Sequence, residues 1–169
     1  NIYISNSFAS SLWSGKPAIV KVTVLDDTAF SVETNGWLDS YASGFPNGIQ
    51  VDGDKMYFVN ASNLYQITIN ADRSAGEVEQ VFTVGNSFWI DDFAVGENYL
   101  AISQIPNPYN NFSSIGMVKI IDKATFQETQ SILPESGNYK PSSVAISKTG
   151  PFGQGNLFVS DYFNGGLYM

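Results

Sequence analysis

Sixteen acidic against eight basic side chains in 169 residues leave a net charge of −8, without the Lys/Arg stripe that nucleic acid requires, so no nucleic-acid partner is expected. The chain has neither Cys nor His, which removes thiol chemistry, disulfides, zinc–thiolate sites and Ser-His-Asp triads together. Apolar residues at 43% indicate a globular fold, and no apolar run approaches the ~18–20 residues that span a bilayer, so no membrane partner is expected either.

In chain order, residues 1–7 (NIYISNS) alternate apolar and polar side chains, as a half-buried strand does. Asn1 rather than Met opens the chain inside that strand, as expected of a processed or truncated product. Residues 18–25 (AIVKVTVL) predict a second strand closed by Asp26-Asp27, and 30–34 a weaker third that leads into the turn pair Asn35-Gly36. A connector over 37–44 follows.

The stretch 45–96 organises the rest. It holds four short apolar runs, at 48–51, 56–60, 64–69 and 81–84, separated by Gly53-Asp54, by 60–63 and by 71–76. Four short antiparallel strands followed by a restart make one blade of a β-propeller. The restart carries Asp91-Asp92 where the first strand carried Asn47. The next unit predicts strands at 92–95, 99–104, 116–121 and 129–133, with a Pro- and Asn-rich loop over 105–114 as a candidate lid. A last unit predicts strands at 143–147, 156–161 and 166–169. Helical periodicity is absent; 124–130 is expected to form a turn at most.

The units repeat internally. NIYISN, KMYFVN, NYLAIS and NLFVSD align as second strands, placing Asn6, Asn60, Ser103 and Asp161 at equivalent ends. Unit starts align at Pro46-Asn47, Ile90-Asp91 and Pro141-Ser142. The reading is an all-β propeller of four-stranded antiparallel blades over residues 1–169, in units of roughly 1–44, 45–88, 89–138 and 139–169. That is about three and a half blades, fewer than a closed ring uses, so the missing blades are expected from a parent chain or another copy.

Starts of innermost strands converge on the channel of such a ring. Asn47, Asp91 and Ser142 would therefore offer three oxygen-bearing groups to one centre, and oxygen-only donors suit a hard cation, calcium or magnesium. The competing readings are ordinary: Asn before Gly forms turns, and Asp at a strand start satisfies backbone N–H groups. The aromatics Trp13, Trp37, Phe88, Trp89, Tyr109 and Phe112 either line a ligand mouth or pack between blades. Asn60-Ala61-Ser62 and Asn111-Phe112-Ser113 are sequons, which arise readily by chance in an Asn- and Ser-rich chain.

The ordered set PNGI (46–49), KMYFVN (55–60), WIDDFAV (89–95), KPSSVAIS (140–147), NLFVSD (156–161) and GGLYM (165–169) resembles the later blades of the senescence-marker-protein/gluconolactonase/luciferin-regenerating-enzyme family. That resemblance implies a six-bladed propeller with a divalent cation on its axis, held by one Glu, two Asn and one Asp. Calcium is the first expectation, with magnesium or zinc as alternatives. It puts one ligand on Asn47, and a ligand that is also the general base on Asp91. The family commonly reads Pro-Asp-Gly where this chain has Ile90-Asp91-Asp92, which leaves open which Asp faces the axis and makes Asp92 the substitute. Ser142, Tyr109 and Trp89 are the expected substrate contacts. The implied activity is hydrolysis of a small-molecule lactone or ester by a secreted or periplasmic protein. The rival expectation is a non-catalytic propeller that binds a small molecule, glycan or protein through its loops.

Overall fold

The computed structural model describes residues 1–5, 19–26, 28–32, 36–38, 46–110, 113–133, 138–148, 155–162 and 164–169. The expectations placed on Asn6, Trp13, the Asn35 turn, Asn111 and Phe112 fall outside them. The chain is all-β: the described residues form four small antiparallel sheets and contain no helix. The first sheet is β1 (Ile2–Ser5), β2 (Ile19–Val24) and β3 (Phe30–Val32), in that order. The second is β4 (Pro46–Asp52), β5 (Lys55–Asn60), β6 (Asn63–Ile69) and β7 (Ala75–Thr83). The third is β8 (Phe88–Val95), β9 (Tyr99–Pro106), β10 (Met117–Asp122) and β11 (Glu128–Ile132), and the fourth is β12 (Pro141–Ile146), β13 (Leu157–Asp161) and β14 (Leu167–Tyr168). Every strand pairs with its neighbour in sequence, so each sheet is a meander built from local hairpins.

The turns follow from their residues. Asp52 pairs with Lys55 across the two-residue loop Gly53-Asp54, and Gly53 stands at φ +63°. A positive φ at the first loop position is the II′ hairpin geometry, which glycine enters without steric cost. Between β6 and β7 the Asp72 carboxylate accepts from the backbone N–H and the hydroxyl of Ser74. Between β10 and β11 Asp122 Oδ1 accepts from Ala124 N, Thr125 N and Thr125 Oγ1, so the 124–130 segment is a tight Asp-anchored turn running into a strand.

By chain contacts the residues fall into two compact units. One comprises Asn1–Ala61 with Tyr65–Glu79, the other Ser62–Leu64 with Gln80–Met169. In the first, Ile19 and Trp37 pack with Met56, Phe58, Tyr65 and Ile67. Phe58 stacks on Tyr65 at 5.0 Å, and the Trp37 indole N–H donates to the Arg73 carbonyl at 2.7 Å. Trp37 is thus a core residue rather than part of a ligand mouth. In the second unit, Ala94, Ala101 and Val118 of the third sheet meet Val144 and Val159 of the fourth, with Tyr139. Face-to-face packing of alternating apolar side chains holds each unit together.

Several strands begin earlier than their apolar alternation predicts. β4 starts at Pro46 rather than residue 48, β8 at Phe88 rather than 92, and β12 at Pro141 rather than 143. All three carry a register shift near the start. An inserted residue breaks the period of two, so the pattern reads as loop where the ladder already runs. β7 also starts early, at Ala75 rather than residue 81. There Gly76 lies so close to β6 that an added Cβ would stand 2.9 Å from the Thr68 carbonyl oxygen.

Candidate functional site at the strand heads

The register shifts share one form. Pro46 pairs with Asn60 and Ile49 with Phe58; Ile90 pairs with Gln104 and Asp92 with Ser103; Pro141 pairs with Asp161 and Ser143 with Ser160. Each first strand carries one residue more than its partner over that interval. In the third and fourth sheets the added residue is Asp91 and Ser142; in the second it falls within Asn47-Gly48, two residues set against the single Val59. A bulge leaves such a residue off the ladder and re-aims its side chain, which is why bulges gather beside functional sites. Asn47 is exposed, and Asp91 and Ser142 are partly exposed.

The same register corrects the internal alignment of the second strands. The residue opposite the strand head is Asn60 in the second sheet, Gln104 in the third and Asp161 in the fourth, so Gln104 and not Ser103 is the equivalent of the other two. Ser103 sits one position earlier and seals the bulge. Its hydroxyl accepts from Asp92 N at 2.8 Å and donates to Asp92 O at 2.9 Å. Ser160 repeats the arrangement, accepting from Ser143 N at 3.2 Å and lying 3.1 Å from the Ser142 hydroxyl. In the second sheet the equivalent position is Val59, which has no hydroxyl to offer. The signal was legible as the serine before the last residue of LFVSD and of LAISQ.

The two acidic candidates separate by role. Asp92 lies beyond the bulge and its Oδ2 accepts from the Ser143 hydroxyl at 2.6 Å, linking the heads of β8 and β12. Asp91 is the bulge residue itself. Trp89 and Tyr109 meet edge to face with centroids 5.5 Å apart, and Tyr109 is 76% exposed. Asn47 heads β4 in the first unit, whereas Asp91, Asp92, Ser142, Trp89 and Tyr109 all belong to the second.

The loop after β9 is stitched down at its start. Asn107 donates through Nδ2 to Asn86 O at 2.9 Å, donates through its backbone N–H to Ser87 O at 3.0 Å, and accepts from Tyr109 N through Oδ1 at 2.9 Å. Further on, Lys140 Nζ donates to the Ser114 carbonyl at 3.2 Å and to Asn138 Oδ1. Lys140 is only 2% exposed, and a buried ammonium needs such oxygens around it. Asp161, also buried, accepts from Asn164 N at 3.1 Å and Asn164 Nδ2 at 2.6 Å. Burial, the Asp161 charge and Tyr168 push the Tyr139 phenol up to about 12. Composition gave no hint of Lys140 or Tyr139, because a lone Lys or Tyr reads as surface until its burial is known.

Among the described residues no three Asp, Glu, His or Cys side chains come together. Within the second unit, Asp91 offers a carboxylate and Ser142 a hydroxyl, oxygen donors of the kind that suits hard ions. The sequon asparagine Asn60 is 4% exposed, so its amide is closed to a glycan in the folded chain. No protein-family model matches the sequence, and no curated protein aligns with it as a relative.

Proposed function

We propose that the four sheets are blades of a propeller and that the strand heads form the site of a metal-dependent hydrolase acting on a lactone or ester. One observation carries this reading: a one-residue bulge recurs at the head of the first strand in three sheets, at Asp91, at Ser142 and within Asn47-Gly48. A structural turn residue has no need to recur at the same ladder position with an oxygen-bearing side chain each time.

By the resemblance of the strand-head motifs, Asn47 in the first unit and Asp91 in the second would each be a ligand of a divalent cation, calcium before magnesium or zinc. A bound divalent ion supplies polarisation of the carbonyl and acidification of a water. Asp91 takes up the proton of the attacking water as general base. Asp92 fixes the Ser143 side of the site through its hydrogen bond, Ser142 offers a hydroxyl to the substrate, and Trp89 with Tyr109 forms its apolar wall.

The test is elemental analysis of the purified chain together with hydrolysis of a lactone and an ester panel, followed by pH-stat before and after chelation. The expected result is a bound divalent ion, activity that falls on chelation, and a loss of 10²-fold or more in Asp91→Asn. Unchanged hydrolysis in Asp91→Asn overturns the assignment.

A second reading draws on the Trp89–Tyr109 pair, because an exposed aromatic ledge also suits a non-catalytic binding loop. It expects ligand retention in Asp91→Asn and its loss in Tyr109→Ala.

A further inference from the structure

The first sheet has two unlike faces. On one, Tyr3 and Ile19 pack into the core with Trp37 and the second sheet, and Lys21, Thr23 and Ser31 share that side by register. On the other, Ile2 pairs with Val22 and Val22 with Val32; Ile4 pairs with Val20, and Val24 with Phe30. Directly paired residues and residues two apart in a strand share a face. This second face is therefore apolar at every position of all three strands. It is also uncovered, with Ile2 at 52%, Val24 at 51% and Phe30 at 68% exposure. A sheet normally shows water an alternation of polar side chains, and this face shows none.

We infer that this face is an interface with a second copy of the chain, the two first sheets packing face to face about a twofold axis. Two features single out a copy as the occupant. Five side chains at 47–68% exposure, with Val20 and Val22 less exposed, offer on the order of 500 Å² per copy, so a pair hides about 1,000 Å², which reaches the lower limit for a specific interface. The patch is also uncharged on a chain of net charge −8. A surface that docks on itself meets every one of its own charges, and this one brings none. Two such β-branched faces interdigitate as the halves of a sandwich do, about 10 Å apart.

The inference does not rest on the metal site or the hydrolytic chemistry, but it gives a second copy the face on which a propeller would seat a neighbouring blade. Its test is sedimentation and light scattering of the 169-residue chain from about 1 to 100 μM. A concentration-dependent dimer is expected, and Phe30→Glu is expected to weaken it at least 100-fold with an unchanged far-UV spectrum. Should that variant fail to fold, the milder Ile2→Thr with Val24→Thr is expected to weaken the dimer about 10-fold. A chain that stays monomeric at 100 μM overturns the inference, even if the face then captures a dye or another protein. So does a dimer indifferent to the folded variants.

Discussion

The Ser143 hydroxyl donates to Asp92 Oδ2 at 2.6 Å, tying the first strand of the fourth sheet to the first strand of the third. The two residues are 51 positions apart, so the bond fastens two hairpin systems that also meet through apolar packing and the Tyr99 hydroxyl on the Gly155 carbonyl. A carboxylate acceptor strengthens it, and the exposure of Ser143 weakens it. Asp92→Ala and Ser143→Ala are each expected to cost about 1 kcal/mol, with most of that cost shared in the double variant. Thermal melts of the four chains check this: the double variant should fall only slightly below either single one, by about 2–4 °C per kcal/mol from the parent.

Gly116 precedes β10 where three backbone segments converge. A Cβ there would stand 2.6 Å from Pro141 Cδ, 2.7 Å from the Gln104 carbonyl oxygen and 3.1 Å from that of Tyr139. None of these is the tip of a flexible side chain, so Gly116→Ala must displace backbone or a proline ring. We expect a loss of about 1–3 kcal/mol, measured by urea denaturation, and weaker closure of the strand heads. Gly85→Ala makes the control for a position with open space but a positive φ.

Two groups act at opposite ends of the pH profile. The Lys119 ammonium at 2.6 Å, followed by the Ser131 hydroxyl, holds the Glu128 carboxyl below its ordinary value. A carboxyl lowered on folding stabilises the fold above its unfolded pKa, and that contribution fades as pH falls through the folded value. Glu128→Gln should therefore lower stability at pH 7 and leave it unchanged near pH 2. Tyr139 behaves in the reverse sense. Its phenol, raised to about 12 by burial and Asp161, keeps its proton after the unfolded chain would lose it near 10. Stability should fall as pH rises between about 10 and 12, and Tyr139→Phe should reduce that slope, with Tyr57, likewise raised by burial, keeping part of it. Denaturant melts across the range, with phenolate absorbance as a second signal, test both.

How much of this was legible in the sequence divides by physical cause. Strand existence and order followed from period-two alternation and from turn residues such as Gly53-Asp54, Asp72 and Asp122, whose geometry is local. Strand starts were missed at Pro46, Phe88 and Pro141, because a bulge shifts the phase of the alternation it interrupts. Equivalence of Asn47, Asp91 and Ser142 was readable from the repeat. The partner of that position was not, since Ser103 and Gln104 differ by one step in register and only pairing decides between them. Lys140 and Tyr139 were invisible for a different reason: burial of a polar side chain depends on distant chain segments, here Ser114 and Asp161.

Where the ladder resumes past each bulge stands Ile49 in one sheet, Asp92 in the next and Ser143 in the last, while the pairing beyond keeps one antiparallel form. Main-chain pairing, helped in two cases by a serine from the neighbouring strand, builds the socket; the plug is interchangeable. A scaffold of that kind allows its chemistry to be rewritten one side chain at a time without the sheet having to be rebuilt.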